Sequence, residues 1–174
     1  MVTFTHLAAG KTTAVTLRRN LASRRAMTTP IPSKPELSMA PWPELGSYVS
    51  SLNPVSRHTL VSQGVSTKML YTLMDSFKSI SKPEIFAVVG FSSKTASRRK
   101  DTAMSLPVSD ATLSLIEIKS LAECVLGNSA EAEDWLNKPA LALDGYKPIA
   151  LIATRAGAEL VKDLLIRLDY GVSV

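Results

Sequence analysis

The sequence predicts an all-α fold, on three observations. Beyond residue 55, apolar residues recur at spacings of three and four, which is the face of a helix. Hydroxyl residues, prolines and glycines punctuate these runs where helices should begin and end. The core material is aliphatic: 45% of the chain is hydrophobic but only 6% aromatic, which suits helices packed through Ala, Leu, Val and Ile. The chain has 174 residues, enough for one domain or a small core with a tail. Three segments are expected: a basic, proline-rich arm over 1–54, a helix-turn-helix region over 55–108 and a second helical domain over 109–174.

The arm differs in composition from the rest. From Met1 to Lys34 it carries Lys11, Arg18, Arg19, Arg24, Arg25 and Lys34 and no acid, and Pro30, Pro32, Pro35, Pro41 and Pro43 follow. Prolines at that density remove backbone donors and break helices, so residues 28–45 should be irregular. An acid-free start rich in Arg and Ser has the composition of an organelle transit peptide. The plainer reading, preferred here, is a partly disordered basic arm, or upstream sequence before a start at Met27 or Met39. A basic arm could also touch nucleic-acid phosphates, adding affinity without sequence choice.

The helices are expected in order. Ser56 is a candidate N-cap for a short helix that Gly64 closes. Val65, Met69, Leu70, Leu73 and Phe77 mark one face of a second helix. Ser81 can cap a third, with Pro83 and Glu84 in its first turn and Ile85, Phe86, Val88 and Val89 on its buried side, ending at Gly90. Ser92 can then cap a helix carrying Lys94, Thr95, Ser97, Arg98, Arg99 and Lys100. Ser109 or Asp110 should cap a long helix with Leu113, Leu115, Ile116, Ile118, Leu121, Val125 and Leu126 on more than one side, a pattern for a core helix with a second surface. Gly127-Asn128 ends it. Ser129 opens a short helix with Glu131 and Glu133 near its start, closing at Trp135 and Leu136, and Trp135 reads mainly as core. Asn137-Lys138-Pro139 stops that helix, Asp144-Gly145 turns the chain, Pro148 opens a new segment, and a long amphipathic helix follows Thr154. Cys124, the one cysteine, is expected as a small buried residue.

Two short helices joined by a glycine turn, the second rich in long donors and hydroxyls, have the shape of a helix-turn-helix. Ser92, Ser93, Lys94, Thr95, Ser97, Arg98, Arg99 and Lys100 are the candidate DNA-binding residues, able to reach phosphates or base edges. The plain alternative is a solvated basic face. Between Arg57 and Lys100 lie eight basic residues against Asp75 and Glu84, within a chain of formal charge +5. That balance permits nucleic-acid binding without requiring it.

Catalysis is not expected. Only His6 and His58 are present, and no Ser/His/acid set is suggested. AAGKTT at Ala8–Thr13 lacks the first glycine of a phosphate loop and follows no convincing strand. A single cysteine excludes an intramolecular disulfide and a cysteine-rich zinc site, so no metal or cofactor is expected. No apolar run reaches the eighteen or so residues that span a bilayer, and a cytoplasmic protein without a membrane partner is the expectation.

The C-terminal pattern, LAECVLGNSAEAEDWLNKPALALDGYKPIALIATRAGAELVKDLLIRLDYGV, resembles the antitoxins of the RES–Xre (ParS/MbcA-type) toxin–antitoxin family. The residues that carry the likeness are Trp135, Leu136, Pro139, Ala142, Leu143, Gly145, Pro148, Leu151, Thr154, Gly157, Val161, Leu164, Leu165, Arg167, Tyr170, Gly171 and Val172. It is close over residues 120–174 and loose over 60–110. The family's Pro-Asn is Pro139-Ala140 in this chain, its Gly-Gly turn is Asp144-Gly145, and its Leu-Asp-Leu-Leu is Ile149–Ile152. In the helix-turn-helix, Phe-Ala and Val-Gly-Phe-Ser stand in place of Leu-Ala and Leu-Gly-Ile-Ser.

The resemblance implies an antitoxin that occludes the active-site cleft of a RES-domain toxin, an enzyme that consumes NAD, and that represses its own operon. It implies operator DNA, a homodimer and a hetero-oligomer with the toxin as its associations. The candidate toxin-binding residues are Trp135, Leu136, Arg155, Leu164, Arg167, Leu168, Tyr170, Gly171 and Val172. The residues themselves agree: Leu160, Val161, Leu164, Leu165 and Leu168 form an apolar stripe with Arg155, Lys162, Arg167 and Tyr170 beside it, and arginine with an aromatic is a common make-up of interface anchors. The alternative is a stand-alone dimeric helix-turn-helix regulator without a toxin partner.

Overall fold

Successive residues of a helix turn by about 100°, so Leu113, Leu115, Ile116 and Ile118 point to different sides of one helix. All four are buried, and the other elements therefore surround that helix. The computed structural model describes residues 40–98 and 102–171. Among them the helices are α1 (Trp42–Ser51), α2 (Pro54–Gln63), α3 (Thr67–Asp75), α4 (Lys82–Val89), α5 (Ser93–Arg98), α6 (Leu106–Leu126), α7 (Ser129–Asn137), α8 (Pro148–Leu151) and α9 (Arg155–Asp169), with a 3-10 turn at Leu141–Leu143. The all-α expectation holds. The one β feature among these residues is an isolated antiparallel bridge between Ser66 and Ala103. None of these helices is long and apolar enough to cross a membrane.

α6 is the shared element: α1, α2, α4, α7 and α9 all pack on it. One hydrophobic cluster runs from Leu45 on α1 through Leu70, Ile85 and Leu113 to Leu165 on α9. The described residues all fall within one compact unit, Ile31–Val174. Residues 108 and 109, where a boundary is expected, are both buried in the first turn of α6.

Several local expectations are corrected. Trp42–Ser51 is helical and begins inside the segment 28–45 read as irregular; Pro41 occupies the N-cap and Pro43 the first turn, where no amide donor is needed. The arm before residue 40 lies outside the described residues. Asn53, not Ser56, caps α2, its side chain accepting from the Ser56 amide at 2.8 Å. The second helix is shorter than its apolar pattern: Val65 and Phe77 are buried just outside α3. Ser105, not Ser109 or Asp110, is the N-cap of α6. Ser109 is buried within the helix, where its hydroxyl accepts from the Val65 amide at 3.0 Å and donates to the Met104 carbonyl at 3.3 Å. Cys124, expected to be buried, is exposed in the last turn of α6.

Other expectations hold. Ser81 caps α4, accepting from the Glu84 amide, and Gly90 ends it in the left-handed region at φ 66°. Ser129 opens α7 as expected, with Asn128 before it supplying a cap that was not expected, through the Glu131 amide at 2.9 Å, and Thr154 caps α9 through the Gly157 amide at 3.1 Å. Gly157 is required by proximity. A Cβ there would lie 2.0 Å from the Leu151 carbonyl oxygen, so α9 leaves α8 closer than any side chain permits.

Candidate functional site

Two surfaces hold the residues singled out by the sequence. The first is the α4–α5 pair. Gly90 reverses the chain, the Phe91 amide donates to the Phe86 carbonyl at 2.9 Å, and the Phe86 and Phe91 rings lie 6.3 Å apart. Ala96 is fully buried and fixes which side of α5 faces inward. Ser92, Ser93, Lys94, Ser97 and Arg98 consequently face solvent, with Thr95 half-buried. The Ser97 hydroxyl donates to the Ser93 carbonyl at 2.9 Å. Arg99 and Lys100 lie outside the described residues. The basic excess counted from Arg57 onward is not all available here: Arg57 donates to Glu117 at 2.6 Å and to Ser114 at 2.9 Å, with Asp110 at 3.4 Å. Lys82 pairs with Asp75 at 2.6 Å.

The second surface is C-terminal. Val161, Leu164 and Leu165 insert into the core, whereas Leu160, Ile166 and Leu168 on the same helix are exposed. Leu168 sits seven residues beyond Val161, two helical turns along the same stripe. The helix thus carries its apolar face past the end of the core. Tyr170 is 67% exposed, Arg155, Arg167 and Gly171 are exposed, and Arg167 Nε reaches the Asp163 carbonyl at 3.4 Å. Gly171 adopts φ 67°, and Val172 lies outside the described residues. Trp135 is half-buried. Leu136 and Leu164 are core residues at 0% and 2% exposure, so they hold the face in place from beneath.

Sequence reasoning missed four further features. The first is Leu141, 96% exposed beside Tyr146 at 61%. The Asp144-Gly145 turn was the available signal, since a chain reversing there cannot bury all of Leu141–Leu143. The second is Glu133, buried at 3% exposure. Its Oε2 accepts from the Lys78 amide at 2.8 Å, the Ser79 amide at 2.9 Å and the Ser79 hydroxyl at 2.8 Å. Burial pushes its carboxyl up, but those bonds and the nearby Lys119 charge outweigh it and hold the carboxyl below the ordinary glutamate range. Glu133 thereby ties α7 to the loop leading into α4. The third is fully buried Lys119. Its ammonium pairs with Glu123, donates to Ser129 Oγ at 3.0 Å and lies 4.4 Å from the Trp42 ring centroid and 4.9 Å from that of Phe77. The Trp42 indole donates to both Glu123 oxygens, at 3.0 and 2.9 Å. Finally, Glu117 joins α2 to α9 by accepting from Arg57 and Lys162 together.

Comparison with known proteins places the second surface in a named domain. Residues 121–171 match the antitoxin Xre/MbcA/ParS C-terminal toxin-binding domain. An antitoxin Xre of Yersinia enterocolitica is 27% identical over 147 residues, covering 81% of this chain and 95% of that protein. An antitoxin Xre of Pseudomonas putida is 23% identical over 116 residues, covering 66% of this chain and 71% of that protein. The matched residues hold the end of α6, α7, the 140–146 turn, α8 and α9, and in this part the chain is similar to the Xre/MbcA/ParS-type antitoxins.

Proposed function

We propose that this antitoxin binds a RES-domain toxin that consumes NAD and occludes its active-site cleft with the end of α9, and that it represses its own operon through α4 and α5. The observation that carries the first part is the apolar stripe of α9 running past the core. Leu168 and Tyr170 lie exposed there with Arg167 beside them, inside a domain described as toxin-binding. An exposed leucine and tyrosine gain by burial in a partner, and arginine can pair with acidic toxin side chains in a two-pronged hydrogen bond. α9 is anchored by Val161, Leu164 and Leu165, so little ordering entropy is lost when its end docks.

The repressor half is supported by the two short helices, the tight turn at Gly90 and the solvent-facing Ser92, Ser93, Lys94, Ser97 and Arg98. Those groups suit phosphate and base-edge contacts. A homodimer would set two such pairs on an inverted repeat. The test is co-expression with a RES-domain toxin. The full chain should restore growth and stop NAD loss, and removal of Leu168–Val174 should abolish both. Rescue that survives that truncation overturns the occlusion reading. Operator binding by the full chain and its loss in Lys94→Ala/Arg98→Ala tests the second half.

A further inference from the structure

We infer that the turn at residues 140–146, with the groove beside it, is a second toxin-gripping surface that anchors the partner independently of the α9 end. The inference rests on the toxin-binding reading above and divides its labour: the turn holds, and the α9 end blocks.

The turn presents its knob on a rigid base. Leu143 is buried at 3% exposure and fixes the middle of the segment, and buried Ile149 fixes the chain beyond it. Main-chain bonds close the loop on itself. The Ala140 amide donates to the Tyr146 carbonyl at 3.1 Å, the Gly145 amide to the Ala140 carbonyl at 3.0 Å, and the Tyr146 amide to the Leu143 carbonyl at 2.9 Å. Asp144 and Gly145 both take positive φ, 52° and 78°, which makes the reversal tight enough to force Leu141 outward. Leu141 is the most exposed of the exposed large hydrophobic residues, at 96%. Nothing in the fold needs a leucine there.

Beside the knob is a concave surface of about 380 Å³ in which Leu126, Trp135, Pro139 and Ala140 supply the apolar part and Glu131 the rim charge. Across the same rim, Asp134 and Lys138 pair with each other, so Glu131 remains as the rim's net negative charge. Knob and groove share Ala140 and are therefore adjacent. A protruding leucine on a closed turn costs little entropy to bury, and an aromatic in an apolar recess is the usual make-up of an interface anchor. The fitting occupant is a protein with an apolar pocket for Leu141 and a basic side chain facing Glu131. The occupant is taken to be the toxin rather than a second copy because turn and groove lie wholly within the matched toxin-binding residues 121–171.

The experiment titrates full-length chain against a RES-domain toxin, reading Kd by calorimetry and inhibition by NAD consumption. Leu141→Asp should weaken binding by tenfold or more at unchanged melting temperature, Leu141→Met should stay within about threefold of the parent, and saturating Leu141→Asp should still inhibit fully. A Leu141→Asp chain that binds like the parent, while loss of Leu168–Val174 weakens binding, overturns this inference and leaves the proposed function standing. A Leu141→Asp chain that changes from dimer to monomer at unaltered toxin affinity also overturns it, assigning the knob to a second copy. If the parent chain binds no RES-domain protein, both readings fall together.

Discussion

Glu133 shows how one side chain can decide which parts of the chain stay joined. Three donors from Lys78 and Ser79 converge on one of its oxygens, and removing it leaves two loop amides without their acceptor. Glu133→Ala should cost about 3 kcal/mol of stability, read as a lowered urea midpoint with little change in slope. The carboxyl is held below its ordinary value of 4.5, so the folded state binds that proton less readily than the unfolded one. Its contribution is complete above that pH and is lost as pH falls through the lowered value. Acid titrations of Glu133→Gln should show a shallower loss of stability below about pH 4.5 than the parent, because the titrating group is gone. Lys119 could not be read in advance for a related reason. A lysine in an otherwise apolar helical pattern is assigned to the solvated side by default, and only Trp42 and Phe77, brought from distant sequence, together with Glu123 one turn along the helix, make its burial tolerable.

At the scale of elements, what was legible was local. Gly90, Gly127, Ser81, Thr154 and Pro148 act within a few residues of themselves, and each falls where capping and turn chemistry puts it. What was missed needed partners from elsewhere: Ser109 faces inward because the Val65 amide needs an acceptor, and Arg57 leaves the basic surface because Glu117 faces it. The candidate site divides the same way. Its helices and stripe were visible in the apolar spacing, but that spacing could not separate buried Leu164 from exposed Leu168, since both belong to one stripe and only the extent of the core distinguishes them. The α8–α9 junction gives a test at this scale. Gly157→Ala should lower the melting temperature by several degrees, on the order of 2 kcal/mol, because its Cβ meets backbone rather than a movable side chain. Circular dichroism melts of the two proteins would measure it. A melting point equal to the parent's would mean that α9 can swing off α8 at little cost.

At the scale of the whole molecule, the helices of the described residues share one core around α6. Trp42 on α1 and Trp135 on α7 are far apart in sequence, and both pack against that core. Thermal or urea unfolding followed by tryptophan fluorescence and by far-ultraviolet circular dichroism should therefore give coincident midpoints. Separate midpoints would show that the halves melt independently. A helix enclosed from several sides also has a history during synthesis. While the ribosome has released α6 but not α9, the face awaiting Val161, Leu164 and Leu165 is wet and unguarded, and Glu117 holds Arg57 without its second cation. A polypeptide halted at that point presents proteases with core residues that the finished fold hides, and docking of α9 covers them and gives Glu117 its second partner.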